Sequence, residues 1–417
     1  MKNNVIKKRT NCRGCLCDDL VKVFHLNPSP IGDEYLDLKN LRQDQPSYPI
    51  DLYLCQRCGL AQLIDVINPD VLYSNYIYKT ESSVGLKDHF AGYANEVIKK
   101  IGLNINSNIL DIGSNDGTLL GEFKKNGMNV IGVEPASKIA DYANQKGITT
   151  LNLFFDEKEA LSIKEQIGTF DLITSNNVFA NIDDIRSWVK GINHLLNEKG
   201  VFVFESYYLL DVINNLVFDF IYHEHLTSFS ISPVKKLFNE FKLDLFAVQH
   251  VDTKGGSLRY FIQRNGGIFP HDGSVEKYLK IETERKIYSF STYKKFRSDI
   301  DLLKKHLIRK LSSIKTKGET IAGFGASITG TTLIYDFEIG EFLDFLVDDN
   351  PDKIGRFSPG LKLPVHSSSS LLEKKPDYVV ILAWRFAKQI VSKNKDYIDI
   401  GGKFIVPVPE YLEIKNG

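Results

Sequence analysis

The stretch that decides the fold is Asn108–Gly117, NILDIGSNDG, an apolar run that leads into a turn with two glycines. The run predicts a buried β-strand over Asn108–Ile112, and the residues Gly117–Lys125 after the turn predict a helix. A second apolar run, Val130–Glu134, follows at the distance expected for one β-α-β unit. Strand, glycine turn, helix and strand in this order are typical of a doubly wound parallel α/β sheet.

The alternation of strands and helices continues toward the C-terminus. Further strands are predicted at residues 149–155, 170–175 and 201–205, and long connecting helices within 275–316. Four more strands, at 320–324, 342–347, 378–382 and 403–406, predict a second, smaller unit of the same kind. We therefore expect an α/β protein with a small N-terminal domain (1–75), a Rossmann-like domain (76–275) and a smaller Rossmann-like C-terminal domain (276–417).

All five cysteines fall in the N-terminal part, in a segment rich in turn residues and without helical periodicity. Four of them form two pairs of identical spacing, Cys12-x-x-Cys15 and Cys55-x-x-Cys58. Two thiolate pairs suit the tetrahedral preference of zinc, whereas four merely buried thiols would not explain the matched spacing. We predict a closed, structural zinc site and assign Cys17 to packing.

Composition argues against several classes of partner. The 417 residues carry 52 basic and 52 acidic side chains, so net charge does not indicate a nucleic-acid or membrane partner. No apolar run reaches the roughly 18 residues of a membrane span, and the polar first residues do not resemble a signal peptide. We expect a cytoplasmic protein with reduced cysteines, adequate as a monomer.

The glycine turn indicates a cofactor site. Asp111-x-Gly113-x-x-x-Gly117 lets the backbone approach a ligand, and Glu134, 23 residues after Asp111, ends the next strand, where a carboxylate can accept both hydroxyls of a ribose. The Gly-x-Gly-x-x-Gly spacing of a pyrophosphate loop is absent, which favours S-adenosylmethionine over NAD. An ordinary α/β turn is the alternative. The candidate cofactor contacts are Asp111, Gly113, Asn115, Gly117, Glu134 and Asn177.

Two further clusters carry polar side chains of mixed chemistry. Tyr222-His223-Glu224-His225 follows an apolar, helix-like stretch, and it is open to three interpretations: an acid-base cluster, a metal site without the usual His-x-x-x-His spacing, or a solvated helix end. The turn Lys254-Gly255-Gly256-Ser257-Leu258-Arg259 offers cations for a phosphate, although a plain hairpin uses the same residues. A second glycine turn, Gly323-Phe324-Gly325-Ala326, weakly supports a nucleotide-shaped pocket.

The shared order of these motifs resembles the sugar C-methyltransferases of deoxysugar biosynthesis, which act on nucleotide-linked keto-sugars. The resemblance covers nearly the whole chain. It implies a zinc-binding domain, a methyltransferase domain that uses S-adenosylmethionine, and a C-terminal domain that helps bind the nucleotide-sugar. The motifs that carry it are the two cysteine pairs, Asp111–Gly117, Tyr222-x-Glu224-His225, Gly255–Arg259, Gly323-x-Gly325-Ala326, Val347–Pro351, Leu382-Ala383-Trp384 and Gly401–Pro407.

The resemblance also implies a reaction, methylation of the carbon next to a sugar ketone. Carbon is a poor nucleophile, so a base must first remove the α-proton. His225 is implied as that base, with Glu224 and Tyr222 orienting it or stabilising the enolate oxygen, and Tyr76 as another active-site tyrosine. Lys254, Ser257 and Arg259 are candidate substrate contacts.

Two positions depart from the family pattern. Asn181 stands where relatives carry histidine, and asparagine does not shuttle protons near pH 7. Thr329 stands where lysine is expected, which removes a possible phosphate contact; both remain candidate site residues. Two alternative functions remain open. The protein could methylate oxygen or nitrogen on a nucleotide sugar or related metabolite, or it could be a catalytically inactive zinc-knuckle binding protein.

Overall fold

The computed structural model describes residues 5–73, 80–82 and 85–416. Numbered in chain order, the strands within these ranges are β1 (Ile6–Lys8), β2 (Leu20–Ser29), β3 (Tyr48–Cys55), β4 (Ala61–Leu63), β5 (Asp65–Ile67), β6 (Asn108–Ile112), β7 (Asn129–Val133), β8 (Thr150–Leu151), β9 (Phe170–Asn176), β10 (Leu196–Tyr207), β11 (Thr227–Ser228), β12 (Leu243–Val251), β13 (Ser257–Arg264), β14 (Ile321–Phe324), β15 (Phe345–Asp348), β16 (Val365–Ser367), β17 (Tyr378–Ile381), β18 (Lys403–Val406) and β19 (Leu412–Ile414).

The α-helices of the same ranges are α1 (Pro69–Tyr73), α2 (Leu86–Ile101), α3 (Thr118–Lys125), α4 (Ser137–Gln145), α5 (Glu157–Gln166), α6 (Ile185–Leu195), α7 (Leu209–Asn214), α8 (Ile231–Glu240), α9 (Ser274–Glu284), α10 (Phe290–Lys315), α11 (Ile328–Phe337), α12 (Ser370–Lys374), α13 (Ala387–Lys393) and α14 (Lys395–Asp399). Short 3-10 turns lie at Leu38–Asn40, Thr80–Ser82, Phe179–Asn181, Phe218–Phe220, Thr253–Gly255, Gly340–Phe342 and Trp384–Phe386.

The chain divides into two compact units, each assembled from separate segments. The first unit contains the residues up to Val21, Leu54–Leu209 and Leu226–Tyr288. The second contains Lys22–Tyr53, Leu210–His225 and the residues from Ser289 onward. The domain boundaries after residues 75 and 275 stay a prediction.

A seven-stranded sheet forms the centre of the first unit, in the order β12-β13-β10-β9-β6-β7-β8. Its strands are parallel except that β13 runs antiparallel to both β10 and β12. The apolar run of β6 is buried along its length after Asn108, as expected for a central parallel strand covered on both faces. The predicted Rossmann-like sheet is confirmed, with β6 at the residues predicted.

Side chains that alternate along β10 build the core on the two faces of this sheet. Val201 and Val203 join the apolar side of α2 and α3, where Phe90 and Phe123 are buried. The intervening Phe202 and Phe204 lie instead among the aromatic rings of residues 179, 229, 238 and 260. This packing fixes the strand ends at which the candidate site lies.

The second unit contains the second α/β sheet, in the order β16-β15-β14-β17-β18-β19. It is parallel apart from the final pair, in which β19 runs antiparallel to β18. The smaller Rossmann-like part is therefore confirmed. The region 275–316, predicted to contain long connecting helices, holds α9 with 11 residues and α10 with 26 residues. The strand expected from residue 342 begins three residues later, because Gly340–Phe342 forms a 3-10 turn.

The N-terminal segment contains more strand than its composition predicts. In the second unit, Asn27–Ser29, expected as part of a turn, belongs to β2, which lies at the edge of its sheet beside β3. An edge strand tolerates Pro28, which has no N–H to donate. In the first unit, β1 pairs with β5 and β4 with β11, both antiparallel.

The helix-like stretch 209–221 is shorter as a helix than predicted. It forms α7 only as far as Asn214 and then a 3-10 turn at Phe218–Phe220. The residues Tyr222–His225 therefore follow a turn, not the end of a long helix. In the described part of the chain, no helix combines the length and apolar character that a membrane crossing needs.

Candidate functional site

The four paired cysteines converge in the first unit. Their Sγ atoms all lie within 4.8 Å of one another, with 3.6 Å between Cys12 and Cys58 and 3.5 Å between Cys15 and Cys55. Zn–S bonds of about 2.3 Å place the sulfurs of a tetrahedral site about 3.8 Å apart, so the arrangement fits zinc. The predicted ligand set is thus brought together, and Cys17 stays outside it.

A cavity opens at the carboxyl ends of β6, β7 and β9, where parallel α/β sheets bind ligands. Including its open mouth, it encloses about 1140 Å³. Five predicted cofactor contacts line it, namely Asp111, Gly113, Asn115, Glu134 and Asn177. Gly117 does not line it; this glycine caps α3 with a positive φ of 75° and packs against Ile148. Its contact with the cofactor stays a prediction.

Gly113 shows why the turn needs glycine. Its φ is +78°, and a Cβ built there would collide with the side chain of Val178, which also lines the cavity. The amides of Gly113 and Ser114 both donate to the carbonyl of Val133, 2.8 and 3.0 Å away. The turn therefore joins the ends of β6 and β7 with the backbone close to the ligand space.

Glu134 is held in one orientation by the backbone. One carboxylate oxygen accepts the amide of Asn115 at 3.0 Å, and the other accepts the amide of Ala136 at 2.9 Å. Burial raises its pKa, while these two hydrogen bonds favour the charged form. Each carboxylate oxygen has a second lone pair, so Glu134 can still accept from the two hydroxyls of a ribose.

Asp111 is buried, and within the described part of the chain no cationic side chain forms an ion pair with it. Burial raises the pKa of the Asp111 carboxyl to about 7, and the negative charge of Glu134 contributes to this rise. The hydroxyl of Thr174 donates a hydrogen bond to the carboxyl at 2.7 Å and opposes the rise. A positively charged ligand would stabilise the ionised carboxylate. Two acidic groups of this kind suit a ligand that carries hydroxyls and positive charge, as S-adenosylmethionine does.

Part of the cavity lining is apolar and aromatic, and the motif analysis missed it. It is formed by Val178, Ile182, Leu153, Phe154, Phe155 and Trp188. Flat apolar surface of this kind suits a purine ring. The adjacent Phe154 and Phe155, which follow β8 after two residues, were the available sequence signal. Asn181 lines the same cavity at the end of its 3-10 turn.

In the second unit, the Tyr222–His225 cluster is largely buried. The Nδ1 atom of His225 lies 2.7 Å from the carbonyl oxygen of Phe220, which accepts only, so Nδ1 carries the proton. Its Nε2 atom is then the basic one, and it accepts the phenol hydroxyl of Tyr222 at 2.8 Å. His223 is a different case: it contacts the Tyr48 carbonyl at 3.2 Å, and burial lowers its pKa to about 4.

Glu224 is buried beside a pair of opposite charges. Burial raises the pKa of its carboxyl to about 8; the nearby Asp33 raises it further and Lys353 opposes this. Lys353 and Asp33 are themselves ion-paired. Glu224 is therefore mostly protonated at neutral pH and can donate a hydrogen bond.

Thr329 lies at the start of α11 in the second unit. Its hydroxyl is 3.2 Å from that of Ser327, which caps the helix, and 3.4 Å from the guanidinium of Arg385. Arg385 is in turn ion-paired with the buried Asp219 at 2.9 Å. A cation therefore already lies beside the position where lysine was expected.

The Gly-Gly-Ser turn is a hairpin between β12 and β13 in the first unit. Lys254 lines the cavity, whereas Ser257 is buried and donates to the Thr253 carbonyl at 3.0 Å. Arg259 is 1% exposed and pairs with the buried Glu205. A direct substrate contact by Ser257 or Arg259 stays a prediction. Tyr76 lies outside the described residues.

Comparisons with known proteins agree with this arrangement. Residues 12–73 match a zinc binding domain, 88–248 a methyltransferase domain, and 252–409 the C-methyltransferase C-terminal domain. The chain is 29% identical to the C-methyltransferase NovU of Streptomyces niveus over 408 residues, which cover 98% of this chain and 97% of that protein.

Solved structures overlap with part of the chain at low similarity. An S-adenosylmethionine-dependent methyltransferase from Clostridium acetobutylicum is 15% identical, with a TM-score of 0.35, and the match covers 47% of this chain and 96% of that one. For the PH0226 protein of Pyrococcus horikoshii the identity is 13% and the TM-score 0.37, with 46% and 98% covered.

The sheet, the acidic cavity at its carboxyl edge and the four thiols define a zinc-containing, S-adenosylmethionine-dependent methyltransferase. Its three matched domains, in this order, make the chain similar to C-methyltransferases over nearly its whole length.

Proposed function

We propose that the protein methylates a carbon atom of a nucleotide-linked 4-keto-deoxysugar, by removal of the proton α to the ketone and methylation of the resulting enolate. The observation that carries this proposal is the fixed tautomer of His225. Because the Phe220 carbonyl holds the proton on Nδ1, Nε2 is available as a base beside the phenol of Tyr222. Methylation of oxygen or nitrogen would need no such base at carbon.

In the proposed reaction, Nε2 of His225 takes the α-proton, the C–H bond breaks, and its electron pair enters the enolate. Tyr222 donates its hydroxyl to Nε2 at rest, and when Nε2 becomes protonated the phenol can donate to the enolate oxygen instead. Glu224, neutral at pH 7 because burial raises its pKa, can supply a second donor to that oxygen. Bound S-adenosylmethionine supplies the electrophilic methyl group that the enolate carbon accepts.

The nucleotide-sugar part of the proposal draws on the second unit and on the relative. NovU is a C-methyltransferase that matches this chain over nearly its whole length. The glycine turn after β14 ends at Ala326, whose amide donates to Asp348, and Thr329 begins α11 beside Arg385. Strand, glycine turn and helix N-terminus offer backbone donors of the kind that hold phosphate oxygens. The balanced net charge supports an enzyme without a nucleic-acid partner, and the presence of both α/β sheets in one chain supports a monomer.

The test combines product analysis with proton exchange. Incubation with methyl-labelled cofactor and a panel of 4-keto nucleotide sugars should give one labelled product whose new methyl group lies on carbon by mass spectrometry. In D₂O, with S-adenosylhomocysteine in place of the methyl donor, the wild type should exchange the α-hydrogen for deuterium. A methyl group on oxygen or nitrogen would contradict carbon methylation.

Two matched histidine variants test the base. His225→Asn should lose both deuterium exchange and methyl transfer by several orders of magnitude while S-adenosylmethionine still binds. His223→Asn, the same change at a neighbouring histidine that burial keeps neutral, should retain exchange. Full turnover in His225→Asn would remove His225 from the mechanism.

A further inference from the structure

Lys254 has an unusual position for a lysine. Among the residues that line the cofactor cavity in the described part of the chain, it is the only lysine, arginine or histidine. Its backbone is left-handed, with φ 57° and ψ 26°, a conformation that is unfavourable for a non-glycine residue. Strained backbone of this kind persists where the surrounding contacts hold it.

The turn that carries Lys254 is held at both of its ends. The Gly256 amide and the Ser257 hydroxyl each donate to the carbonyl of Thr253 at 3.0 Å. The hydroxyl of Thr253 then donates to a carboxylate oxygen of Glu205 at 3.2 Å. The turn is therefore attached to the end of β10 through Thr253.

Glu205 is fully buried and is surrounded by donors. Its Oε1 atom accepts from Nε2 of His89 at 2.9 Å, and its Oε2 atom accepts two nitrogens of Arg259 at 3.0 and 3.2 Å. Arg259 is its direct partner across the antiparallel pair of β10 and β13. These partners lower the pKa of Glu205 despite its burial, so it remains charged. The proposed chemistry does not use this buried charge.

The charges of the cofactor indicate what Lys254 meets. The methionine end of S-adenosylmethionine carries an ammonium, a sulfonium and one carboxylate. The buried acids on the wall, Asp111 and Glu134, can serve cationic groups and ribose hydroxyls, but they repel a carboxylate. Lys254 is the residue of this wall whose charge complements that anion.

We propose that Lys254 binds the α-carboxylate of the methionine part of S-adenosylmethionine, and that Glu205 is a positioning residue that fixes the Lys254 turn through Thr253. Lys254 then recognises the cofactor and not a phosphate of the sugar nucleotide. Arg259 and Ser257 belong to the same assembly, as supports of Glu205 and of the turn.

The first experiment compares two cofactors by isothermal titration calorimetry. Decarboxylated S-adenosylmethionine keeps the ammonium and sulfonium but lacks the carboxylate. The wild type should bind S-adenosylmethionine roughly 10- to 100-fold more tightly than the decarboxylated form, the range for one hydrogen bond between charged groups. Equal affinity for the two cofactors in the wild type would overturn the proposal without any variant.

Variants test whether Lys254 causes the difference in affinity between the two cofactors. Lys254→Met should remove this difference by weakening the binding of S-adenosylmethionine alone. Lys242→Met is a matched control, because Lys242 also has a left-handed backbone (φ 57°) but is exposed outside the cavity, and it should leave both affinities unchanged. Equal weakening of both cofactors by Lys254→Met, or a rise only in KM for the sugar nucleotide, would refute the carboxylate contact.

The positioning role has its own pair of variants. Thr253→Val removes the hydroxyl that reaches Glu205 and should reduce the preference for the carboxylate several-fold, whereas Thr253→Ser keeps the hydroxyl and should restore it. Glu205→Gln should act in the same direction as Thr253→Val. If Thr253→Val weakens both cofactors alike, or if Ser and Val behave the same, Glu205 does not act through the turn.

Discussion

Replacing Gly113 by alanine tests the geometry on which the cofactor cavity depends. The change adds one methyl group at a residue whose φ is +78° and whose new Cβ would meet Val178, with Cγ1 2.9 Å away and Cγ2 closer. Both effects act on the turn between β6 and α3. We expect the variant to lose stability in the first unit and to bind S-adenosylmethionine more weakly.

The expected loss of unfolding free energy in Gly113→Ala is the sum of two contributions. A left-handed backbone costs an alanine roughly 1–2 kcal/mol relative to glycine. Overpacking against Val178 adds about 1–3 kcal/mol, since the valine must move into the cavity to make room. The free energy of unfolding should therefore fall by about 2–5 kcal/mol. Because each 1.4 kcal/mol changes an equilibrium constant tenfold, the equilibrium constant for opening of the first unit should rise at least about 25-fold.

Native-state hydrogen exchange of peptides from β6 and β7, read by mass spectrometry over a urea series, measures this loss. Gly121→Ala is the matched control: Gly121 lies within α3, a Cβ there would have open space, and an alanine in a helix should stabilise by about 0.5–1 kcal/mol. Adding Val178→Ala to Gly113→Ala should recover only the overpacking part. If Gly113→Ala protects these strands as well as Gly121→Ala does, the argument from the turn is wrong.

Three other changes have defined outcomes. Cys55→Ser should release the zinc, measured as metal per chain by mass spectrometry, and lower the melting temperature, whereas Cys17→Ser should retain one zinc. Binding of the cationic cofactor should favour the charged form of Asp111, whose pKa is about 7. Calorimetry in two buffers at pH 6.5 should therefore detect proton release that is absent at pH 8.5 and in Asp111→Asn. Glu224 loses its donor proton as pH rises through its pKa of about 8. The rate of methyl transfer should therefore fall above pH 8 in the wild type but not in Glu224→Gln. If the rate of Glu224→Gln falls above pH 8 as the wild-type rate does, the neutral carboxyl of Glu224 is not the donor.

The sheet elements that the sequence predicts well are those whose pattern is local. Strand β6 begins and ends where the apolar run does, since a central parallel strand is apolar throughout. Strand β10 is longer than the predicted 201–205 at both ends, because Leu196 pairs with Phe170 of β9 and the residues after Glu205 pair with β13, both distant in sequence. The helix expected over 209–221 ends at Asn214 for a similar reason: apolar residues after it are buried in a turn, and periodicity alone does not separate these cases.

The site shows the same division. Carboxylates and glycines at strand ends, such as Asp111 and Glu134, were recognisable because the turn and the strand both have sequence signatures. Glu205 was not, although it also lies near a strand end, because its importance comes from His89 and Arg259, which folding brings to it. Arg259 itself was predicted as a candidate substrate contact, because the sequence does not indicate that it is buried in an ion pair with Glu205.

The alternation of six segments between the two units has a consequence for synthesis on the ribosome. The second unit needs Lys22–Tyr53 and Leu210–His225, but most of its sheet is encoded after residue 320. Those early segments can therefore acquire the full set of contacts of their unit only when translation is nearly finished. A stop codon after Tyr288 would remove Lys353, which is ion-paired with Asp33 beside Glu224, so the proposed catalytic cluster acquires its native surroundings only once the last third of the chain has been made.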